Sequence, residues 1–584
     1  MKIAIAQMNS TIGAFAQNRQ KIISLSTKAE ALGADLVLFP ELALCGYPPM
    51  DILDQKSFTE MNLQSIHILQ KELPQNIAVG IGFVNKSPYQ GGKSLVNAYA
   101  VLQQGKIVHE QIKTLLPTYD VFDEARNFEP GQSWNLLELS VVSTGSTTDC
   151  CSVVEPVETT VRIGFAICED FWRETDIPGT HYKSDPVRAL LDAGADIICV
   201  PSASPFYSGK DATRRALAEK IANRGNIPIV YINAVGANDS IIFDGRSFVM
   251  QPDGKVSVVA KGFEEDLITW DNTLRVSAPP REIPQYDIIE NALVLGIREY
   301  MQKCGFTHCH LGLSGGIDSA LVAYLAVQAV GKDNVACFSM PSRFSSDGSK
   351  DDAAELAVNL GCRYETLPIE PGFKAFLETL KPVFEDRPFD IAEENLQARI
   401  RGTLMMAYSN KFNSMLLATG NKSELAMGYC TLYGDMCGSL APIGDLFKTE
   451  VFGLCKRINQ RAGDEGRKPP IPQAIIDKPP SAELRPNQKD QDSLPPYDTL
   501  DAVLRLYLFD NLSAKEIVET CANDKCSYEH MNICALDEAL VQSIIKTTAR
   551  AEFKRRQAPP VLKVSPRAFG MGRRMPIARA VFEI

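Results

Sequence analysis

Short apolar runs alternate with longer stretches of helical spacing along most of the chain, a pattern that predicts an α/β protein. In the first half, residues 3–6, 35–39, 77–84, 98–102, 106–111, 134–142, 161–167, 197–200, 229–234, 247–250 and 256–259 read as strands, and 18–32 as a helix. Strands outnumber helices there, as expected for an αββα sandwich with its helices outside. Helical spacing resumes at 288–303. Beyond it, strands at 309–313, 335–339, 363–367 and 414–419 alternate with helices at 318–330, 350–360 and 395–409. That order predicts a doubly wound parallel sheet with its ligand at the strands' carboxyl ends. Residues 463–496, rich in Pro, Lys and Asp, read as a mobile loop or lid, and 499–553 as extra, largely helical structure.

The proline-rich stretch 277–285 reads as a linker, dividing the chain into domains at 1–276 and 286–584. Residues 143–160 fit neither pattern. They are polar and of low complexity, and read as a surface loop that the sheet tolerates because added loop length costs little. The adjacent Cys150 and Cys151 within it read as incidental.

A chain of 584 residues is too long for one core, which agrees with two domains. Its net charge of -11 argues against nucleic acid as the main partner. The sequence has no apolar run long enough to span a membrane, and its first residues read as a strand rather than a signal peptide. Fifteen cysteines, irregularly spaced and without a CxxC pair, point to a reducing, cytoplasmic compartment rather than a disulfide framework. His308, Cys309 and His310 alternate faces on one strand and make a poor metal set.

Three residues stand where strands end. Glu41 follows an apolar run and Pro40, Lys113 follows Gln111-Ile112, and Cys168 follows Arg162 to Ile167. Singly, each reads as a rim charge or a small buried hydrophobe. Together they supply a base for a thiol proton, a nucleophile, and a cation for developing negative charge, all without histidine.

In the second half, Gly312-Leu313-Ser314-Gly315-Gly316-Ile317-Asp318-Ser319 joins a strand to a helix. Its small residues free backbone N–H groups to close around phosphate oxygens, and the helix N-terminus adds positive potential. Asp318 suits a divalent cation at the same place. No lysine follows the glycines, so this is not a Walker A loop. Gly92-Lys93-Ser94 and Gly80-Ile81-Gly82 imitate phosphate motifs but lack the remaining glycines.

The first half resembles the nitrilase/amidase superfamily in Phe39-Pro40-Glu41-Leu42, Lys113-Thr114-Leu115-Leu116-Pro117-Thr118-Tyr119 and Ile167-Cys168-Glu169-Asp170-Phe171-Trp172. It does so again in Phe122-Asp123-Glu124 and in the segment from Arg126 to Gly131. The resemblance implies a nitrilase-like sandwich in which Glu41 is the general base, Lys113 steadies the oxyanion and Cys168 attacks an amide. Ser-Gly-Gly-Ile-Asp-Ser resembles the signature of ATP pyrophosphatases, a group that includes GMP, asparagine and NAD synthetases and tRNA-thiolating enzymes. The choice among them falls on NAD synthetases. Segments from Glu394 to Arg401, Thr419 to Glu424, Gly428 to Asp435, Asp445 to Thr449, Lys478 to Glu483 and Lys554 to Pro560 are similar to theirs.

With both halves included, the chain resembles the glutamine-dependent NAD synthetases. The resemblance implies that glutamine supplies ammonia to amidate deamido-NAD, activated as an adenylate by ATP. It implies glutamine-binding roles for Tyr119, Ser204 and Lys210, and ATP contacts at Gly312, Leu313, Ser314, Gly315, Gly316, Ile317, Asp318, Ser319, Thr419 and Lys448. Asn395, Glu424 and Lys554 match deamido-NAD positions, and Asp318 and Glu424 fit Mg2+. The basic cluster Lys554-Arg555-Arg556 reads as a solvated face or a phosphate holder. A homo-oligomer paired through the synthetase halves is also implied. The alternatives are a nitrilase-type amidase with a regulatory nucleotide module, and a tRNA- or nucleotide-modifying pyrophosphatase.

Overall fold

In the computed structural model, which describes residues 1–143, 157–173, 182–272, 283–486, 488–522 and 536–580, the chain divides into two units, Met1–Glu282 and Ile283–Ile584. The first six residues of the expected linker, 277–282, lie outside the described residues, and Gln285 already opens the helix Gln285–Lys303.

The first unit holds two six-stranded sheets. One runs, edge to edge, through Asp266–Asp271, Lys2–Gln7, Leu36–Leu38, Ala78–Lys86, Leu95–Gln103 and Lys106–Ile112. The other runs through Val256–Val259, Phe248–Met250, Ile229–Asn233, Ile197–Ser202, Val157–Phe165 and Leu137–Ser143. Three neighbouring strands at the heart of each sheet are parallel, and antiparallel strands flank them. Parallel strands are covered on both faces, so their sequences are apolar throughout rather than alternating. Ile3, Ile5, Leu36 and Leu38 meet Ile163, Phe165, Cys199 and Ile232 of the other sheet. Ala4, Ala6, Val37 and Phe39 point the other way, toward Ile22 of helix Phe15–Ala31 and Ile66 of helix Lys56–Glu72. The second sheet is covered likewise by helices Pro186–Asp192 and Lys210–Gly225. This is the αββα sandwich.

Hydropathy did not expose three of these helices, and for the two longer ones the packing supplies the reason. The buried stripe of Lys56–Glu72 is Phe58, Asn62, Ser65, Ile66 and Leu69, and that of Lys210–Gly225 includes Arg214. Polar residues at core positions break the periodicity that a sequence reader counts. The predicted strand 161–167 begins earlier, at Val157, and pairs antiparallel with Leu137–Ser143. Most of the odd segment 143–160, namely 144–156, lies outside the described residues.

The second unit is built on a four-stranded sheet in the order Arg363–Thr366, Val335–Ser339, Cys309–Gly312, Met415–Leu416, every neighbouring pair parallel. Strand addition proceeds outward from Cys309–Gly312 and then returns to its other side, which creates a topological switch point at that strand's carboxyl end. Helices Tyr497–Phe509, Ala514–Ala522 and Glu538–Arg550 form a separate apolar cluster with Leu425 and Phe447. The expected loop 463–496 is more ordered than its composition suggests. It contains the helix Gln473–Asp477, with Ile471 and Ile475 buried. No helix among the described residues is long and apolar enough to cross a membrane.

His109, on an edge strand of the first sheet, packs with its ring centroid 5.4 Å from that of Phe165 of the second, and its Nε2 has no hydrogen-bond partner among the described residues. Burial lowers its pKa from 6.5 to about 4. The unfolded chain therefore takes up this proton first, and stability is lost as pH falls from 6.5 toward 4, by about 3 kcal/mol once protonation is complete. His109→Phe is expected to flatten that part of the pH dependence. All three tryptophans, Trp134, Trp172 and Trp270, lie in the first unit, so denaturant unfolding followed by tryptophan fluorescence reads it selectively.

Candidate active sites

The parallel strands of the two sheets bring their carboxyl ends to one place. Glu41 comes three residues after Leu36–Leu38, Lys113 directly after Lys106–Ile112, and Cys168 three residues after Val157–Phe165. Ala203, just past Ile197–Ser202 of the second sheet, donates its N–H to Glu41 Oε2 at 3.0 Å, tying the sheets together at that edge. Gly82 makes room for this turn, since a Cβ there would stand 2.2 Å from the backbone nitrogen of Leu42. Cys168 itself has φ +45, a left-handed conformation that costs a non-glycine residue about 1–3 kcal/mol and is held by the packing around it.

Lys113 Nζ donates to Glu41 Oε1 at 2.7 Å and to Glu124 Oε1 at 2.8 Å, and its side chain is wholly buried. Asn97 Nδ2 completes Glu41 at 2.8 Å, and the Tyr47 hydroxyl donates to Glu124 Oε1 at 2.8 Å. Burial works against the ammonium, but Glu124 and Glu41 outweigh it and hold Lys113 charged. Burial pushes Glu124 up to about 7 against the pull of Lys113. Burial, then Glu41, also pushes the Cys168 thiol well above its ordinary value, with Lys113 opposing. At rest Cys168 is therefore a thiol, which would need a base to take its proton before it could attack. The sequence suggested a cation that favours the thiolate; here burial and the neighbouring carboxylates prevail.

Two residues of the quoted motifs prove to be part of this centre although the sequence reading gave them no role. Glu124 shares Lys113, and its buried Oε2 has no hydrogen-bond partner among the described residues. Asp170 accepts from Thr114 N–H at 3.0 Å, Leu115 N–H at 2.7 Å and Ile167 N–H at 3.2 Å. One carboxylate thus fastens the residues after Lys113 to the residue before Cys168. The only signal available in the sequence was their place inside those motifs.

Of the residues matched to glutamine, Tyr119 donates its hydroxyl to both oxygens of Glu169 at 3.0 Å, and Tyr182 donates to Glu169 Oε1 at 2.8 Å. Lys210 Nζ lies 3.7 Å from the Trp172 ring centroid, and its charge reaches Glu169. The Ser204 hydroxyl accepts from Arg214 Nε at 3.3 Å, while Arg214 is paired to Asp244. The buried Glu169 carboxylate and the Lys210 ammonium are charges of opposite sign that could meet the two ends of a small zwitterion.

In the second unit, Gly312 ends its strand and residues 313–316 turn into the helix Ile317–Val330. Gly315 has φ +77 and packs so closely on Ser349 that a Cβ would stand 2.2 Å from its carbonyl oxygen. The Ser314 and Ser319 hydroxyls lie 3.1 Å apart across the turn. The whole of 312–319 lines a cavity of about 320 Å³ at the sheet's switch point, together with Thr419, Glu424 and Lys448. Lys448 Nζ reaches Asp318 Oδ2 at 2.5 Å and Glu424 Oε1 at 3.1 Å. Burial pushes Glu424 up to about 7, opposed by Lys448. The described residues contain no cluster of three metal-type ligands. The donor set at Asp318 and Glu424 is two carboxylates facing a phosphate cradle, which suits a magnesium ion that takes its other oxygens from substrate and water. Arg401 also lines the cavity, and its Nε donates to the Met340 carbonyl at 3.0 Å.

Asn395 and Lys554 stand outside the cavity's lining. The Thr431 hydroxyl donates to Asn395 Oδ1 at 2.7 Å, and Lys554 Nζ donates to the carbonyls of Gly428 and Cys430 at 2.7 and 2.8 Å. Of these partners, Cys430 lines the cavity. Arg555 is neither a solvated charge nor a phosphate holder: it is buried, with Nη1 on the carbonyls of Leu425 and Ala426 at the end of helix Lys422–Met427.

Two families match the chain, carbon-nitrogen hydrolase over residues 2–278 and NAD synthase over residues 289–558. A relative from Synechocystis described as a glutamine-dependent NAD(+) synthetase is 44% identical over 588 residues, covering 99% of this chain and 98% of the relative. One of the same description from Rhodobacter capsulatus is 40% identical with the same coverage. The solved structure of the glutamine-dependent NAD+ synthetase from Acinetobacter baumannii, in complex with ADP, shares 35% identity at a TM-score of 0.73, covering 99% of this chain and 98% of that one. One from Cytophaga hutchinsonii, at 20% identity and a TM-score of 0.78 with the same coverage, shares the fold.

Asp170→Asn replaces one acceptor oxygen with a donor facing an N–H, and should loosen the Cys168 turn. The expected result is about a tenfold rise in the rate at which iodoacetamide alkylates Cys168 in the folded protein, as the thiol loses its cover, measured by peptide mass spectrometry. An unchanged rate would contradict the positioning role.

Proposed function

The chain belongs to the glutamine-dependent NAD(+) synthetases, and from that premise we propose how its two units divide the reaction. The first frees ammonia from L-glutamine; the second uses ATP to activate deamido-NAD and amidates it. What carries this reading is a pair of complete reaction centres on one polypeptide: Glu41, Lys113 and Cys168 joined at one strand edge, and the 312–319 turn facing Lys448 at another.

In the first centre, Cys168 Sγ attacks the side-chain amide carbon of glutamine while Glu41 takes the thiol proton. Lys113 faces the oxygen as it becomes negative. Glu41 returns the proton to the leaving nitrogen, ammonia departs, and a thioester remains. A water molecule, deprotonated by Glu41, hydrolyses it to glutamate. Glu169, with Tyr119 and Tyr182 on its carboxylate, receives the substrate ammonium, and Lys210 the substrate carboxylate. Ser204 orients the substrate from its place on Arg214.

In the second centre, the nicotinate carboxylate of deamido-NAD attacks the α-phosphorus of ATP and the bond to the β-phosphate breaks. This step is needed because a carboxylate has no leaving group that ammonia can displace, whereas an acyl adenylate has AMP. The backbone of 314–319 and Lys448 take up charge on the departing pyrophosphate, and Arg401 adds a guanidinium to the same cavity. Asp318 and Glu424 are the residues that would hold Mg2+, an ion that would supply positive charge to phosphate oxygens. Ammonia then attacks the acyl carbon, releasing AMP and leaving NAD. Asn395 and Lys554, with Glu424, hold deamido-NAD. A homo-oligomer follows from the same family reading, and Phe376, Val383, Phe389 and Ile391 of the second unit are exposed enough to take part in it.

Cys168→Ala is expected to abolish NAD formation from glutamine and to leave formation from ammonium intact. Asp318→Asn should lose both. Assays of AMP and NAD with deamido-NAD, ATP and either nitrogen source read the outcome. A wild-type chain that forms no NAD from either source would instead favour an amidase carrying a regulatory nucleotide module.

A further inference from the structure

Eleven of the described cysteines are free thiols, and two of them touch. Cys337 lies at the centre of strand Val335–Ser339, fully buried. Cys362 precedes the neighbouring edge strand Arg363–Thr366 and is partly open to solvent. Their sulfurs are 3.8 Å apart. Neither residue lines the nucleotide cavity, and neither has a part in the chemistry above.

We propose that Cys337 and Cys362 are an oxidisable pair, which peroxide converts to a disulfide that slows ATP-dependent turnover in the second unit. The contact favours reaction in one order. Cys362 is the thiol that solvent reaches, and the Cys337 thiol hydrogen-bonded to it lowers its pKa, whereas the same contact and then burial raise that of Cys337. The Cys362 thiolate attacks one oxygen of hydrogen peroxide, the O–O bond breaks, and hydroxide leaves to become water. This leaves a sulfenic acid on Cys362. Cys337 then attacks that sulfur, the S–O bond breaks, and a second water carries away the hydroxyl with the Cys337 proton. Two thiols and one peroxide give one disulfide and two waters, so the electrons balance.

The consequence follows from what the two strands carry. A disulfide brings its sulfurs to about 2.05 Å, so the strands must be drawn together locally. They are already joined further along, where Leu367 N–H donates to the Ser339 carbonyl at 2.8 Å, and Leu313 N–H donates to the Phe338 carbonyl at 2.8 Å. Phe338, Ser339 and Met340 line the cavity, and Leu313 belongs to the phosphate turn. A pull at Cys337 is therefore transmitted to the wall that receives ATP.

The test uses the full-length Cys168→Ala protein, so that peroxide cannot act through the nucleophile, with ammonium as nitrogen source. After peroxide, peptide mapping should show a Cys337–Cys362 cross-link lighter by two hydrogens. Ammonium-driven NAD formation should fall several-fold, with a raised KM for ATP, and dithiothreitol should restore it. Cys362→Ser in the same background should keep its activity through the treatment. A different linkage, such as one from the nearby Cys309, or no linkage, would overturn the proposal, as would a cross-link that leaves the KM for ATP unchanged. The cross-link is read by mass and so stands apart from the synthetase reading, on which only the activity arm rests.

Discussion

A lysine ammonium is tolerated in a protein interior only when carboxylates accompany it, and three such ammoniums fix the working parts of this chain. Lys113 gathers Glu41 and Glu124, which are 72 and 11 residues away in sequence. Lys448 gathers Asp318 and Glu424, at separations of 130 and 24. Lys422 is held by Asp445 and by Ser565 and Arg567 of the carboxyl-terminal segment. Stripping a partner from such a group leaves a buried charge uncompensated, at about 3–5 kcal/mol. The same contacts that prepare the chemistry therefore also hold distant stretches in register.

Topology decides where those ammoniums can work. Parallel strands send their carboxyl ends to one edge, and in each unit the reacting groups are collected there. In the sandwich, two sheets contribute, and the N–H of Ala203 on Glu41 joins them. In the second unit, one sheet reverses its order of strand addition and leaves a crevice into which 312–319, Thr419 and Lys448 converge. Neither centre uses histidine. Burial and the carboxylate of Glu41 keep the Cys168 thiol protonated, with Lys113 opposing.

Much of the fold was legible because its strongest signal is local. Continuous apolar runs such as Leu36 to Phe39 announce strands covered on both faces, and the glycine-rich turn before Asp318 announces a phosphate cradle. The helices over Lys56–Glu72 and Lys210–Gly225 stayed hidden because Asn62, Ser65 and Arg214 take up core positions. Arg214 belongs in the core only because Asp244, 30 residues on, arrives to pair with it. Hydropathy cannot see that partner.

The sequence by itself determined which residue types stand at strand ends, and with them the two kinds of chemistry: a thiol with an acid and a base, and an anion cradle with an acid beside it. Only the tertiary structure decided how those groups are charged and what keeps them in place. Glu124 and Asp170 became parts of the first centre through contacts with Lys113, Thr114 and Ile167, while Arg555 became a buried prop on the carbonyls of Leu425 and Ala426. The physical reason is that burial and hydrogen bonding act through space. A carboxylate's proton affinity and a basic residue's role depend on which distant atoms fold against them.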